Sequence, residues 1–413
     1  MNHKLLLPFA PPVECRASGQ WLRTVKGPPR LMTTPRWRQR ALGCAGRCGA
    51  FAVVTLVLTA CGDDSTKEQN ALEPHGKVAQ RQLDLFLPFF WIAAAIGIGV
   101  IGVTIFAAIR YRARPGNENP KQVHGNTTLE ISWTIVPAVV MAIMAVPTVA
   151  TLWDLDKKPD DPLEVTVYGK QWWWEYQYTN LDTVDPSIDY EVNTANELHI
   201  PAGRPVYFTL RSTNVNHSFW VPSLAGKKDV VPSRDNHVWF EADDDDAGSV
   251  YYGQCVEYCG LSHADMRLKV FVDSPEDFAA WARKQREPWD AARLARAEEL
   301  GITTTWGCST CHFIGGFDEA ADAAIADGSG ADSRPGPNLT HLADRSTFAG
   351  AIYDLDLENL TDWIWHAPDQ KPNQCDKPLF DPDCRVGMPN FEKTGMTRDQ
   401  AEEIARFLLE QEP

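Results

Sequence analysis

The sequence YGQCVEYCGLSHADM, residues 252–266, gathers four metal-binding side chains on one short segment. They are two cysteines, a histidine and a methionine: Cys255, Cys259, His263 and Met266. A second imidazole stands upstream in NHSFWVP, at His217. Thiolate, imidazole and a weak thioether are the ligands of copper electron-transfer sites. Because two thiolates on one loop can bridge a pair of ions, this stretch predicts a dinuclear copper site.

Two other interpretations of the same loop account for fewer of its residues. A disulfide between Cys255 and Cys259 would leave the neighbouring histidine and methionine without a role. Zinc binds thiolates and imidazoles, but a thioether is a poor ligand for it and zinc has no redox chemistry. The loop therefore favours copper and one-electron transfer.

The residues around this loop alternate between apolar and polar side chains. The alternation is clear in residues 163–167 and 206–210, and it is typical of half-buried strands. Pro and Gly interrupt the runs, and helical patterning is scarce before about residue 275. The pattern predicts a small all-β sandwich over residues 160–275.

Two long apolar runs precede the sandwich, at residues 86–109 and 131–152, and neither contains a formal charge. Each is close to the roughly 20 residues that span a bilayer core. The loop between them is basic, with Arg110, Arg112, Arg114 and Lys121. Since basic loops stay in the cytoplasm, the sequence predicts a transmembrane hairpin over residues 81–155. Everything after Asp154 then lies on the periplasmic side of a bacterial inner membrane.

The first 60 residues differ in charge from the rest of the chain. They carry nine Lys or Arg and one Glu, although the whole chain has a net charge of −16. The apolar run 50–60 ends in LTACG, residues 58–62. A basic region, a short apolar run and a small-residue site are typical of a secretory signal, and the cysteine resembles a lipoprotein cleavage site. We expect an N-terminal extension plus signal over residues 1–60, lipidation of Cys61 and a linker over 61–80. An ordinary signal or a short anchor helix is the alternative.

Composition excludes two classes of protein. A net charge of −16 argues against a nucleic-acid partner, because a phosphate backbone requires a basic face. Fifteen Trp and an aromatic content of 10% are far above those of disordered chains.

A second metal motif follows the sandwich, where residues 306–312 read WGCSTCH. The pattern C-x-x-C-H is typical of c-type haem attachment, with Cys308 and Cys311 joined to the haem and His312 on the iron. A lone C-x-x-C could instead be redox-active or bind zinc. The adjacent histidine and the predicted export favour haem.

Residues 81–275 resemble subunit II of the haem-copper cytochrome c oxidases. The resemblance rests on the hairpin, on the run Cys-x-Glu-x-Cys-Gly-x-x-His-x-x-Met and on His217. It implies a cupredoxin-like domain in which both cysteines bridge two copper ions. It further implies that His217 and Met266 bind one copper, and that His263 and the main-chain carbonyl of Glu257 bind the other. The Glu257 side chain would approach a magnesium ion shared with subunit I.

Two further segments share the resemblance. In QWWWEY, residues 171–176, Trp172 aligns with the exposed tryptophan through which electrons enter from cytochrome c. A tryptophan run is also typical of a core, which we expect for Trp174. In LEISWTIVP, residues 129–137, Glu130 aligns with a carboxylate at the mouth of a proton path into subunit I. A solvated helix end is the other interpretation of Glu130.

The C-terminal region resembles class I cytochromes c, which implies an all-α domain over residues 288–413. In GPNL, residues 336–339, the Pro337 carbonyl would accept a hydrogen bond from the axial histidine. In GMPNF, residues 387–391, Met388 would be the sixth iron ligand, with Met396 as its competitor. Two more cysteines flank this loop, and we expect a disulfide or, alternatively, two free thiols at Cys375 and Cys384.

Together these features predict a multidomain, membrane-bound subunit II of a cytochrome c oxidase with a fused cytochrome c domain. Electrons from cytochrome c or a quinol–cytochrome c reductase would pass through haem c and copper to subunit I. There oxygen would be reduced to water and protons translocated. Two alternatives are a subunit of another reductase, such as nitrous oxide reductase, and a membrane-tethered electron carrier without enzymatic activity. The hairpin with Glu130, the Glu257 in the copper loop and two redox centres in series favour the oxidase.

Overall fold

The structure is a computed structural model, and it describes residues 69–115, 122, 124–317, 323, 334–373 and 386–410. The predicted signal and Cys61 lie outside these residues, as do Lys121, Cys375 and Cys384.

Two long apolar helices, α1 (Lys77–Arg110) and α2 (Thr127–Leu155), open the described chain. Both are long and apolar enough to cross a membrane, and most of their large side chains are exposed, as lipid-facing residues are. Helix α2 begins where the Asn126 side chain accepts hydrogen bonds from the amides of Thr128 and Leu129, a common helix cap.

Helix α1 begins before the expected hairpin start at residue 81. Its first turn lies on the sandwich, where Val78 and Ala79 are buried and Lys77 pairs with Glu241 at 2.6 Å. The helix therefore extends beyond its apolar run because the soluble domain supports its first turn.

Ten strands form two five-stranded sheets between residues 163 and 273. The first sheet has the order β3-β2-β1-β5-β8 and the second β4-β10-β9-β6-β7. The strands of the first sheet are β1 (Leu163–Lys170), β2 (Trp173–Tyr178), β3 (Val192–Ala195), β5 (Val206–Ser212) and β8 (Asn236–Phe240). Those of the second are β4 (Glu197–Pro201), β6 (His217–Trp220), β7 (Lys228–Val230), β9 (Val250–Cys255) and β10 (Arg267–Asp273).

The facing sides of the two sheets form one apolar core. Trp174 and Phe208 are fully buried in it, and the Trp174 ring meets Phe219 edge to face at 5.3 Å. Strands β6 and β9 are antiparallel neighbours, with Phe219 opposite Cys255. This register brings the first residue of β6, His217, beside the end of β9.

The C-terminal part is mainly helical and has a second core. Helix α3 comes first and packs on the sandwich. The helices of the C-terminal part follow it, and two short strands lie among those helices. The elements are α3 (Pro275–Lys284), α4 (Ala291–Glu299), β11 (Thr347–Phe348), β12 (Tyr353–Asp354), α5 (Leu357–Gln370) and α6 (Arg398–Leu409). Helix α6 is capped by Thr397, and its Phe407 meets Trp289 edge to face at 5.3 Å. The hairpin β11–β12 adds strands to a region for which only helices were expected. We call residues 288–410 the C-terminal unit.

Candidate metal centres

Residues 255–266, which we call the copper loop, connect two paired strands of the second sheet. Strand β9 ends at Cys255 and β10 begins at Arg267. The Cys255 amide donates to the carbonyl of Met266 at 2.9 Å, which closes the base of the loop. Because both ends of the loop belong to one β-ladder, the first and last ligands of the loop, Cys255 and Met266, lie side by side.

Five predicted ligands converge at one end of the sandwich. Sγ of Cys255 lies 3.8 Å from Sγ of Cys259 and 3.9 Å from Nδ1 of His217. Sγ of Cys259 lies 3.5 Å from Nδ1 of His263 and 3.9 Å from Sδ of Met266. Metal-bound imidazole and thiolate atoms lie about 2.0–2.3 Å from an ion, so ligands of one ion are about 3.5 Å apart. The spacing of these donor atoms therefore fits metal ligands.

Burial separates the copper ligands from solvent. His217 and Met266 have no exposed surface, and both cysteines are buried, whereas His263 is half-buried. The carbonyl oxygen of Glu257 lies 3.3 Å from Sγ of Cys255, while the residue itself is exposed. The main chain of Glu257 thus faces the loop interior, and its carboxylate remains accessible to a partner.

A hydrogen bond between the two thiols shifts their pKa values in opposite directions. A hydrogen bond from Cys259, supported by His217, lowers the pKa of the Cys255 thiol well below its usual value despite burial. The same hydrogen bond and burial raise the pKa of the Cys259 thiol. Sharing of this kind yields one thiolate readily, and thiolates are the form that binds metal.

Two residues that the sequence did not identify fix the His217 ring. Oδ1 of Asn214 lies 3.2 Å from Nε2 of His217, so Nδ1 is the nitrogen that faces the cysteines. A Cβ on Gly169 would come within 2.8 Å of the His217 ring. Groups of this kind orient metal ligands. Asn214 lies three residues before His217 in a turn, where an asparagine is ordinarily explained by the turn itself.

The second motif lines a cavity of about 340 Å³ where the C-terminal unit meets the copper domain. Cys308, Cys311, His312 and Met388 all lie on its wall. The remaining wall is largely apolar and includes Leu342, Phe348, Leu360, Ile364 and Phe391. An apolar cavity beside two thiols, an imidazole and a thioether suits a haem with covalent and axial attachment.

His312 is held by one ring nitrogen. Its Nδ1 lies 2.8 Å from the carbonyl oxygen of Pro337, which leaves Nε2 for a metal. Burial lowers the pKa of His312, so the imidazole is neutral, which is the ligand form. A Cβ on Gly336 would lie 2.8 Å from the ring, so the turn at Gly336 can approach closely only as glycine.

Met388 and Met396 occupy different places. Met388 is half-buried on the cavity wall. Met396 is 3% exposed within the apolar core, and its carbonyl accepts a hydrogen bond from the Trp365 indole at 3.1 Å. The cavity therefore presents Met388 to a ligand and uses Met396 for packing.

The chain matches known proteins along most of its described length. Residues 73–151 match the family described as "Cytochrome C oxidase subunit II, transmembrane domain", and residues 163–272 match its periplasmic domain. The chain is 35% identical to cytochrome c oxidase subunit 2 of Alkalihalophilus pseudofirmus, over 78% of this chain and 87% of that protein. This chain belongs to the cytochrome c oxidase subunit II family.

A further relative agrees with that assignment. Cytochrome c oxidase subunit 2 of Bacillus subtilis is 32% identical over 78% of this chain and 88% of that protein. Among solved structures, the periplasmic domain of subunit II from Bradyrhizobium japonicum has 28% identity and covers 32% of this chain and 96% of its own, with a TM-score of 0.28. The chain is a membrane subunit of a cytochrome c oxidase complex, and its periplasmic domain implies the dinuclear copper centre called CuA.

Trp172 is buried in this subunit and not exposed, which differs from what the resemblance implied. It is 3% exposed because the C-terminal unit covers it, and its side chain lines the cavity that holds His312. Its indole Nε1 donates to the carbonyl of Cys259 at 3.0 Å. One tryptophan thus touches both candidate centres.

Glu130 lies in the first turn of α2 and is exposed. Its amide donates to the carbonyl of Asn126 at 2.9 Å. The structure therefore places this carboxylate at a helix N-terminus on the surface of the subunit.

Proposed function

We propose that this subunit takes electrons from a haem c in its own C-terminal unit and delivers them through Trp172 to the CuA centre. From there electrons continue to subunit I, where oxygen is reduced to water and protons are translocated. A single observation carries the proposal: the Trp172 indole lines the cavity and is hydrogen-bonded to the carbonyl of Cys259.

The proposed copper ligands are assigned as the family resemblance implies. His217 and Met266 would bind one ion, His263 and the Glu257 carbonyl would bind the other, and Cys255 and Cys259 would bridge them. The contacts of 3.5–3.9 Å among the side-chain donor atoms support a shared site, with each histidine and the methionine next to one of the two cysteines. When bound, the copper pair accepts and releases one electron. The chain supplies an enclosed site in which the ligands already stand together, and this limits rearrangement on transfer.

The proposed haem attachment uses Cys308 and Cys311, with His312 and Met388 as axial ligands of a class I cytochrome c domain over residues 288–413. Their shared cavity supports it. A match covering 78% of this chain must include residues 308–312 wherever it begins, so this region is common to the relative from Alkalihalophilus. The match to the Rickettsia bellii protein covers only 53% of this chain.

Several residues of the chain would prepare these centres without touching a donor or acceptor. The Pro337 carbonyl orients His312, and Asn214 orients His217. Because the C-terminal unit covers Trp172, an external cytochrome c or quinol–cytochrome c reductase would deliver electrons to that unit and not to Trp172 itself.

The proposed membrane arrangement places both soluble parts on the periplasmic side. Helices α1 and α2 would form a multi-pass hairpin within residues 81–155, followed by the copper domain over 160–275. Residues 1–60 would be an N-terminal extension with a signal, Cys61 would carry the lipid, and 61–80 would be a linker.

Two carboxylates would serve the contact with subunit I. The exposed side chain of Glu257 would reach a shared magnesium ion while its carbonyl faces copper. Glu130 would stand at the mouth of a proton path. Its position in the first turn of α2, at the end of the helix next to the basic loop, supports a place at the membrane boundary.

The test is spectroscopy of the purified oxidase complex with oxygen uptake measured beside it. We expect one covalent haem c per subunit, the EPR hyperfine pattern of one electron shared by two copper nuclei, and oxygen uptake driven by reduced donor. Mononuclear copper would overturn the bridged pair. Absence of covalent haem after expression with its attachment machinery would overturn the haem assignment.

A further inference from the structure

Residues 346–351, which we call the docking loop, belong to the C-terminal unit and contact the copper domain. Three successive residues of the loop, Ala349, Gly350 and Ala351, have positive φ angles of 56°, 83° and 57°. Alanine rarely adopts such angles, and an observed outlier of this kind points to a constraint imposed by the surroundings. The constraint here is the contact with the copper domain.

The first anchor of this contact is Glu197, on edge strand β4 of the copper domain. Its carboxylate is buried, with the residue 3% exposed. Oε1 accepts hydrogen bonds from the amide and hydroxyl of Ser346 at 3.0 and 2.7 Å, and from those of Thr347 at 2.8 and 2.7 Å. A buried charge requires such partners. All four donors lie in the docking loop.

The second anchor is Lys371, at the C-terminal end of α5. Here the charged side chain belongs to the C-terminal unit, and partners of it lie in the copper domain. The residue is 5% exposed. Its Nζ donates to the carbonyls of Trp172 at 2.8 Å, Asp265 at 2.7 Å and Ala349 at 2.7 Å. Burial lowers the pKa of Lys371 to about 7, and in its ammonium form the group has three donors, all of which are used. Two of the acceptors belong to the copper domain, and Asp265 precedes the copper ligand Met266.

Gly350 makes this arrangement possible. A Cβ at this position would lie 2.5 Å from Nζ of Lys371, 2.7 Å from the carbonyl of Asp265 and 3.0 Å from that of Trp172. The Gly350 carbonyl also accepts from the amide of Arg267 at 3.0 Å. The loop therefore fits the copper domain only without a side chain here.

We propose that Glu197 and Lys371 are reciprocal buried anchors that hold the C-terminal unit in one fixed position over Trp172. Glu197 takes its four donors from across the interface, and Lys371 finds two of its three acceptors there, so separating the two parts would break these hydrogen bonds. A diffusing donor instead docks through exposed charges that salt screens. The consequence for electron transfer rests on the proposed function, whereas the anchored contact itself does not.

The experiment compares three variants of the full subunit in its oxidase complex. Lys371→Met removes the ammonium group. Gly350→Ala places a methyl group against Nζ of Lys371 and the carbonyls that it binds. Lys284→Met is the matched control, because Lys284 pairs with Asp344 across the same two parts at 2.7 Å but is 54% exposed. Hydrogen–deuterium exchange is measured for peptides containing Trp172 and the docking loop. The rate of haem-to-copper electron transfer is measured after photoreduction of the haem.

We expect exchange in both peptides to rise about tenfold or more in Lys371→Met and Gly350→Ala, since one charge-assisted hydrogen bond is worth that factor. Lys284→Met should change it by less than about threefold. Electron transfer should slow in the first two variants, while haem c and copper stay bound. Raising the salt concentration should not reproduce the effect in the wild type.

Wild-type exchange in both Lys371→Met and Gly350→Ala would overturn the proposal. So would an equal effect of Lys284→Met. A complex that lacks haem c but shows the expected exchange pattern would refute the haem assignment and leave the anchors standing, so the two failures are distinguishable.

Discussion

The copper loop and the C-terminal cavity each combine two cysteines with histidine and methionine, but they do so by different means. In the loop the donor atoms already stand 3.5–3.9 Å apart, held by the pairing of β6, β9 and β10. In the C-terminal unit the same residue types line about 340 Å³ of open space. A small ion needs only converging side chains, whereas a haem replaces part of a hydrophobic core. We therefore expect the copper domain to fold without its metal and the C-terminal unit to depend on its haem.

The largest effect should follow from preventing haem attachment with Cys308→Ser and Cys311→Ser together. Without haem the largely apolar wall of the cavity is exposed to water, and the lost burial is large against the marginal stability of a domain. Limited proteolysis should cut the C-terminal unit rapidly while the copper domain stays resistant. An equally resistant C-terminal unit would show that the comparison fails.

Cys259→Ser should abolish the dinuclear copper signal and reduce turnover to background, because each thiolate bridges both ions. The sandwich should keep its melting temperature within a few degrees, since its ladder does not involve this side chain. EPR and calorimetry check the two expectations. Met266→Leu is the control and should retain copper with a shifted spectrum and potential, because a thioether is a weak ligand. A retained dinuclear signal in Cys259→Ser would refute bridging.

Replacing each of the two methionines of the C-terminal unit by alanine distinguishes iron ligation from core packing. Met388→Ala should lower the haem potential and abolish the methionine-to-iron absorption band while the haem stays attached. Met396→Ala should keep that band but cost about 2–5 kcal/mol of stability, because Met396 is 3% exposed in the core. Redox titration and thermal unfolding measure these quantities. The opposite pattern would make Met396 the ligand.

Asn214→Ala should weaken copper binding about tenfold, because the amide oxygen that orients His217 is lost. Asn216→Ala is the matched control, since Asn216 is an exposed neighbour in the same turn. Competition with a copper chelator measures the affinities. Equal affinities of the two variants would mean that the β-ladder alone orients the ring.

Glu130→Gln should have the smallest effect, a several-fold slower turnover with both metal centres spectroscopically intact and rapidly reduced. The slow step should be reduction of the oxygen site, because that step requires proton uptake. Steady-state turnover across a range of pH measures it. Turnover equal to that of the wild type would leave Glu130 as a helix-end carboxylate only.

Much of the fold could be predicted from local patterns in the sequence. The two apolar helices follow from uninterrupted hydrophobic runs, and the strands from alternation, because both depend on near neighbours in sequence. Family membership is confirmed by relatives that match most of the chain. The copper loop could be identified because four of its ligands lie within twelve residues.

Most features that the sequence did not reveal involve residues far apart in the chain. Trp172 was expected to be exposed, yet residues about 200 positions later cover it, as the hydrogen bond from Lys371 to its carbonyl illustrates. Glu197 and Lys371 each look like ordinary surface charges, since nothing adjacent to them indicates a partner. Asn214 was hidden in a turn.

By itself the sequence determined which residue types could bind copper and haem, where the membrane helices lie and which family the chain belongs to. These are properties of short segments whose chemistry or periodicity is visible locally. Only the tertiary structure decided that the C-terminal unit closes over Trp172, that Met388 and not Met396 faces the cavity, and that two buried charges meet their partners across the interface. Burial and hydrogen bonding between distant segments arise only when the chain is folded, because each depends on what the rest of the molecule places against the residue.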